Sequence, residues 1–190
     1  MTRRVISLLL CAVLMIGLLP TVAFAENEQS IDFSTKVTGL EDPLTISFTA
    51  WYYDSDEEEE DCIEDIQANI PLSYEGMLFT GIIGTLSISD IPTNKVFLGV
   101  KINGNLITAP ESGTNYTTLE GLNVQPSIRI RTDRNIYSFY LTADNDEEED
   151  CQNLRDYCVK NGVSVEFLFE DKQTEPSAAT YKATVDETNT

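Results

Sequence analysis

Apolar and polar residues alternate along many short stretches of this chain. In residues 45–53 every second residue from Ile46 to Tyr52 is apolar, while Trp51 and Tyr53 lie on the opposite face. Such alternation is typical of strands that bury one face in a core. The same pattern predicts further strands at residues 31–38, 77–83, 85–89, 96–102, 128–131, 137–142, 163–169 and 180–185.

Glycine, proline and asparagine separate these strands and predict tight connections between them. Asn103-Gly104 lies between two apolar runs, and both residues tolerate the positive φ that a two-residue hairpin turn requires. Many short strands joined by frequent turns are typical of a β-sandwich. The sequence therefore predicts a mainly β fold, an antiparallel β-sandwich, Ig-like or related, formed by residues 26–190 as a single domain.

Two acidic segments interrupt the strand pattern and contain 15 of the 32 acidic residues. The first acidic segment is residues 54–65 and the second is residues 144–150. Their sequences match with a single deletion, and the match ends in Cys62 in one and Cys151 in the other. Since a repeat can determine a whole fold, we consider an internal duplication with half-repeats of about 31–89 and 124–185. The alternative is that acid-rich sequences match by composition alone.

Each acidic segment carries the features of a helix start. Ser55 precedes Glu58 by three residues, and Asn145 precedes Glu148 in the same way, which is the spacing of a capping box. Acids in a first turn also interact favourably with the positive end of the helix dipole. Apolar residues then follow at helical spacing, namely Ile63, Ile66 and Ile70 in one case and Cys151, Leu154 and Cys158 in the other. The sequence predicts two short acidic helices.

The first 25 residues have the features of a secretory signal peptide. Arg3 and Arg4 precede an apolar run at residues 5–19, and Ala23-Phe24-Ala25 provides small residues at the cleavage positions. We expect cleavage after Ala25, export, and no membrane insertion of the processed chain. Removal of 1–25 changes the net charge from −20 to −22. A protein with this charge is repelled by phosphate backbones, so we expect no nucleic-acid partner.

Export makes a disulfide possible for the cysteines that remain after processing. On a helix, Cys151 and Cys158 would lie roughly 10 Å apart along the axis, which is too far for a disulfide. A bridge would therefore include Cys62, paired with Cys151 or alternatively with Cys158. The competing interpretation is that all three are buried thiols.

Both acidic segments place acids at the first, third and fifth positions of a loop, a pattern that favours hard cations such as calcium. The candidate ligands are Asp54, Asp56, Glu58, Asp144, Asp146 and Glu148. Glu59 and Glu149 occupy the position where an EF-hand loop needs glycine, so weak association with a carboxylate patch is the alternative to a defined site. We expect no other cofactor.

Trp51 and Tyr53 are the candidate ligand-binding residues, because aromatic rings on the polar face of a strand can stack on sugars. Coverage of these rings by a neighbouring segment is the alternative. The chain has no histidine, no Gly-rich phosphate loop and no nucleophile elbow, so we expect no enzyme.

The sequence thus predicts a secreted, non-catalytic interaction module whose partner is an extracellular protein or a glycan. Two alternatives remain. One is a carbohydrate-binding or glycosidase-like protein that uses the aromatic residues with nearby carboxylates. The other is a surface protein that binds divalent cations through the acidic segments.

Overall fold

The computed structural model describes residues 29–42 and 44–173, which form a mainly β structure. The strands in chain order are β1 (Ser30–Ile31), β2 (Phe33–Thr38), β3 (Ser47–Asp54), β4 (Glu59–Ile63), β5 (Ile70–Pro71), β6 (Ser73–Tyr74), β7 (Met77–Ser87), β8 (Lys95–Ile102), β9 (Asn105–Thr108), β10 (Thr114–Tyr116), β11 (Ser127–Arg131), β12 (Ile136–Thr142) and β13 (Val163–Asp171). The helical elements of these residues are a 3₁₀-helix (Ile88–Asp90) and the α-helix α1 (Glu148–Asn161). The predicted signal peptide (1–25) and the predicted strand at 180–185 lie outside the described residues.

The strands form two main sheets. In the large sheet the strand order is β10-β11-β12-β7-β3-β4, and β6 also pairs with β7. In the small sheet the order is β2-β13-β8-β9, and β1 forms a short separate pair with β5. All pairings between the described strands are antiparallel except the parallel pairing of β13 with β2.

Aromatic side chains from both main sheets meet in one hydrophobic core. The ring of Phe48 in the large sheet lies 5.1 Å from that of Phe33 and 6.0 Å from that of Phe167, both in the small sheet. Phe97 and Tyr137 make a similar contact at 4.8 Å. Edge-to-face and tilted pairs at these distances are favourable beyond the area they bury. The faces of the two sheets that carry these rings are therefore their inner faces.

Strand β7 corrects the prediction of two separate strands at 77–83 and 85–89. It is continuous through Gly84, which pairs with Phe48 on one side and with Phe139 on the other. A Cβ atom at Gly84 would lie 2.7 Å from the ring of Phe48. Glycine at this position therefore makes room for a core aromatic ring and does not mark a turn.

The Asn103-Gly104 hairpin prediction is confirmed. Ile102 pairs with Asn105, and both turn residues have positive φ, 46° for Asn103 and 86° for Gly104. The side chain of Asn103 also donates to the carbonyl oxygen of Gly162 and accepts from the backbone N–H of Ser164. These bonds attach the hairpin to the junction between α1 and β13.

The prediction of a helix in the first acidic segment is wrong. Residues 55–58 form a turn, and Glu59–Ile63 then returns along β3 as the strand β4. Glu58 has φ 55°, a left-handed conformation that ends any helical path. The physical reason is that β3 would otherwise be an open sheet edge, and pairing with β4 satisfies its backbone groups.

The second acidic segment leads into α1, whose first turn contains three acids. Its N-cap is Glu147, without a side-chain capping bond, so the predicted capping box of Asn145 and Glu148 does not form. The apolar stripe expected on this helix is buried, with Cys151, Leu154 and Cys158 all 5% exposed or less. The helix ends at Asn161, and its C-cap is Gly162, which has φ 66°.

Candidate binding groove at Trp51

Trp51 lies on the outer face of the large sheet, the face directed away from the core. It is half-buried and stands opposite Gly81 of β7 and opposite Cys62 of β4. Gly81 also pairs with Thr142, and a Cβ atom at Gly81 would lie 2.6 Å from the Cα atom of Thr142. Glycine at this position therefore allows β12 to approach β7 closely, and any larger residue would clash with Thr142.

A groove of about 260 Å³ adjoins the ring. Its lining residues are Trp51, Tyr52, Glu60, Thr80, Ile83, Thr142, Ala143 and Asn145. The groove lies where the register between β3 and β7 shifts, between Trp51 and Tyr52. Such a bulge bends a strand and redirects its side chains, so the groove is a consequence of the local sheet geometry.

Two polar aromatic groups in this region differ in their hydrogen bonding. The hydroxyl of Tyr52 donates to the carbonyl oxygen of Pro71 at 3.1 Å. The indole Nε1 of Trp51 is shielded from solvent and has no hydrogen-bond partner among the described residues. A buried donor left without an acceptor costs about 1–3 kcal/mol. Because solvent does not reach this nitrogen, the part of the indole that a ligand in the groove could contact is its ring.

The two acidic segments meet beside the groove. The side chain of Asn145, from the second segment, donates to Oε1 of Glu60 in the first. The pKa of Tyr53 is raised by partial burial and by the negative charges of carboxylates from both segments. These carboxylates are Glu58, Asp146, Glu60 and Asp54. One side of the Trp51 groove is therefore strongly negative.

Each acidic segment begins with the same local bond. Asp54 Oδ1 accepts from the backbone N–H of Asp56 at 2.8 Å, and Asp144 Oδ1 accepts from that of Asp146 at 3.3 Å. In residues 29–42 and 44–173, no group of three or more acidic or cysteine side chains is arranged to hold a metal ion. Calcium binding by the six candidate ligands stays a prediction.

The predicted disulfide is wrong, because all three cysteines in the described part of the chain are free thiols. Cys62 lies on the edge strand β4 opposite Trp51, whereas Cys151 and Cys158 lie on the buried side of α1. The thiol of Cys151 donates to the carbonyl oxygen of Asp144, and burial raises the pKa of Cys158 to about 12. The physical reason is that β4 places Cys62 on the outer face, away from the core that contains the other two sulfur atoms.

Two further aromatic residues lie on the outer face and were not selected as candidates from the sequence. Tyr140 and Tyr116 both pair with Ser127, from opposite sides, so the three side chains share one row. Together with Trp51 they occupy every second strand of the large sheet. Neighbouring strands lie about 4.8 Å apart, so Tyr116 and Tyr140 are separated by about 10 Å across the sheet. Trp51 lies one row further along this face, opposite Gly81, whereas Tyr140 lies opposite Ile83. The alternation of Tyr140 with Phe139 and Leu141 was the sequence signal that could have identified it.

In the described residues, no helix is both long and apolar enough to cross a membrane. Comparison with known proteins found no match, since no protein-family model, no curated protein and no solved structure is significantly similar to this chain.

Proposed function

We propose that this chain is an exported, non-catalytic binding module that holds a glycan on the outer face of the large sheet. The observation that carries the proposal is the groove beside Trp51, where a half-buried indole ring adjoins open space and the carboxylate of Glu60. Sugars combine apolar ring faces with hydroxyl groups, so one sugar can pack on the indole ring and donate to that carboxylate.

The rest of the outer face fits an elongated ligand. Tyr140 and Tyr116 continue the aromatic positions beyond Trp51, and Tyr116 is 62% exposed. Hydroxyl-bearing side chains on the same face supply hydrogen-bonding groups. Those with exposed surface are Ser47, Thr49, Thr85 and Thr142. The spacing of about 10 Å between Tyr116 and Tyr140 suits contacts with alternate sugars of a chain.

We also propose that the two main sheets form a β-sandwich around their shared aromatic core, in an Ig-like or related arrangement. A duplication is supported by the positions of β3 and β12, which flank β7 in the same direction. Ser47 and Ser138 both stand opposite Thr85, and Phe48 and Phe139 both stand opposite Gly84.

A binding experiment with the processed chain, residues 26–190, tests the glycan proposal. A glycan array followed by titration of the best ligand should give saturable binding. Trp51→Ala should weaken it at least about tenfold, and Tyr140→Ala by less. Leu106→Ala is the control, since Leu106 is exposed on the small sheet. Absence of glycan binding, or unchanged binding by Trp51→Ala, would refute the proposal.

Divalent-cation binding is the second candidate, favoured by the meeting of the acidic segments at Asn145 and Glu60. Calorimetric titration with calcium chloride at constant ionic strength tests it. Saturable heat that Asp54→Asn and Asp144→Asn both reduce would support a shared site. Heat that responds to neither variant would leave only diffuse ion association.

A further inference from the structure

Building on the proposed glycan-binding function, we infer that the sugar in the Trp51 groove carries a free amine, as a 2-amino-2-deoxy sugar does. The carboxylate of Glu60 lines the groove and forms no ion pair within the described residues. One of its oxygens accepts from Asn145, which leaves further acceptor positions on the same carboxylate. An ammonium group is the donor that such a carboxylate binds most strongly.

The surrounding charge selects the same class of glycan. Carboxylates of both acidic segments lie around Tyr53 beside the groove, and the processed chain has a net charge of −22. This field repels glycans that carry carboxylate or sulfate groups and attracts those that carry ammonium groups. The basic residues paired into the same outer face are Arg129 and Arg131, which lie on β11 opposite Ser138 and Ile136 and are separated from β3 by β12 and β7.

The indole of Trp51 supplies a contact that a lone carboxylate patch does not. Its ring face attracts a nearby cation through its quadrupole, and the attraction is stronger where water is excluded. An amino sugar therefore satisfies the carboxylate and the ring face together. A neutral sugar leaves Glu60 without a cation.

The test is a titration of the processed chain with three matched oligosaccharides, followed by tryptophan fluorescence and calorimetry. The ligands are a β-1,4 glucosamine oligomer, its fully N-acetylated form and a cello-oligosaccharide of the same length. The glucosamine oligomer should bind at least about tenfold more tightly than the other two. The preference should shrink as sodium chloride is raised from about 0.05 to about 0.5 M, because salt screens exposed charges.

Two variants assign the preference to the groove. Glu60→Gln keeps the size of the side chain and should remove most of the preference for the amine, so that the glucosamine and N-acetylated oligomers bind with similar affinity. Glu75→Gln is the control, because Glu75 is an exposed acid outside the groove. Thermal unfolding of each variant should match that of the parent chain.

The outcomes separate this inference from the function on which it rests. If the glucosamine and N-acetylated oligomers bind equally well, and Trp51→Ala abolishes both, the inference of a free amine is refuted and the proposed glycan binding stands. If none of the three oligomers binds, the inference of an amino-sugar ligand is refuted. The glycan array then decides whether the protein binds another glycan. Equally tight, Trp51-dependent binding of an oligolysine of matched charge would show that the occupant is a basic peptide, which also overturns the inference.

Discussion

The two acidic segments have nearly the same sequence, yet the chain after them folds in opposite ways. Both begin with an aspartate whose Oδ1 accepts the N–H two residues later. After the first, the chain reverses and forms the strand β4, and after the second it forms the helix α1. The local signal of capping residues, acids and apolar spacing therefore does not decide between strand and helix.

The difference lies in the strand that precedes each segment. Strand β3 has β7 on one side, and its other side was open to a hairpin partner. Strand β12 has β7 on one side and β11 on the other, so no edge remains for the chain to pair with. Backbone groups that cannot pair in a sheet are satisfied within a helix, and α1 places its apolar stripe against the core. Tertiary context thus overrides local propensity in the first segment.

Thiol reactivity gives the largest expected contrast between the two segments. Cys62 and Cys151 occupy matching positions, but Cys62 is half-buried on an edge strand and Cys151 is 5% exposed. Cys62 should react with a small thiol reagent at least about 10³-fold faster, because Cys151 requires an opening of the core. Peptide mapping after brief labelling of the native protein measures this ratio. Equal rates would mean that α1 does not cover Cys151.

The same labelling tests the free state of the cysteines. Denatured but unreduced chain 26–190 should bind three equivalents of reagent, from Cys62, Cys151 and Cys158. At neutral pH Cys158 should be the slowest in the native protein, since burial raises its pKa to about 12 and little thiolate is present. A cross-linked peptide containing Cys62 would contradict the structure.

Core packing gives the second contrast. Leu154 of α1 is fully buried, whereas Ile63 at the end of β4 is only partly buried against the core. Leu154→Ala should lower the free energy of unfolding by about 2–5 kcal/mol, and Ile63→Ala by about 1 kcal/mol. Urea denaturation measures both, with Val159→Ala on the exposed side of α1 as the control. Similar losses at the two sites would show that β4 is as important to the core as the helix.

Arg155 gives a third contrast, since the matching residue of the first segment is Ile66. The guanidinium is 9% exposed and donates to the carbonyl oxygen of Phe79 and to Oε1 of Gln152. It forms no ion pair with any carboxylate of the described chain. Arg155→Ala should lower the free energy of unfolding by about 2–3 kcal/mol, because it removes buried contacts and leaves the Phe79 carbonyl without this donor.

A volume-matched variant shows whether the charge of Arg155 matters. Arg155→Met should cost less than about 1 kcal/mol, since an apolar side chain avoids the desolvation of an unpaired charge. Chemical denaturation of both variants gives the comparison. If Arg155→Met costs as much as Arg155→Ala, the hydrogen bonds of the guanidinium stabilise the contact between α1 and β7 by more than its desolvation costs.

Strands could be predicted from the sequence wherever one face is buried, as in residues 45–53, because alternation reports that burial directly. The first acidic helix could not be excluded, since Ile63, Ile66 and Ile70 fit a helical stripe and the open edge of β3 is invisible in the sequence. Trp51 could be identified from its position off the apolar face. Glu60 and Asn145 could not be identified as groove residues, because the hydrogen bond between them depends on how two segments 85 residues apart converge.

The smallest expected effect is a change in stability on substitution by glycine, which should have opposite signs in the two acidic segments. Glu58 and Glu148 occupy matching positions, but Glu58 has φ 55° in a turn and Glu148 begins α1. Glycine adopts the left-handed conformation without a steric penalty, so Glu58→Gly should stabilise the protein by about 0.5–1 kcal/mol. Glu148→Gly should destabilise it by a similar amount through lower helix propensity.

Glu58→Gln and Glu148→Gln are the references, because they remove the same charge and keep a side chain. Thermal and urea unfolding of the four variants measures the differences. A loss of stability in Glu58→Gly relative to Glu58→Gln would mean that the first segment is helical in solution, and the hairpin that places Glu60 beside Trp51 would not exist.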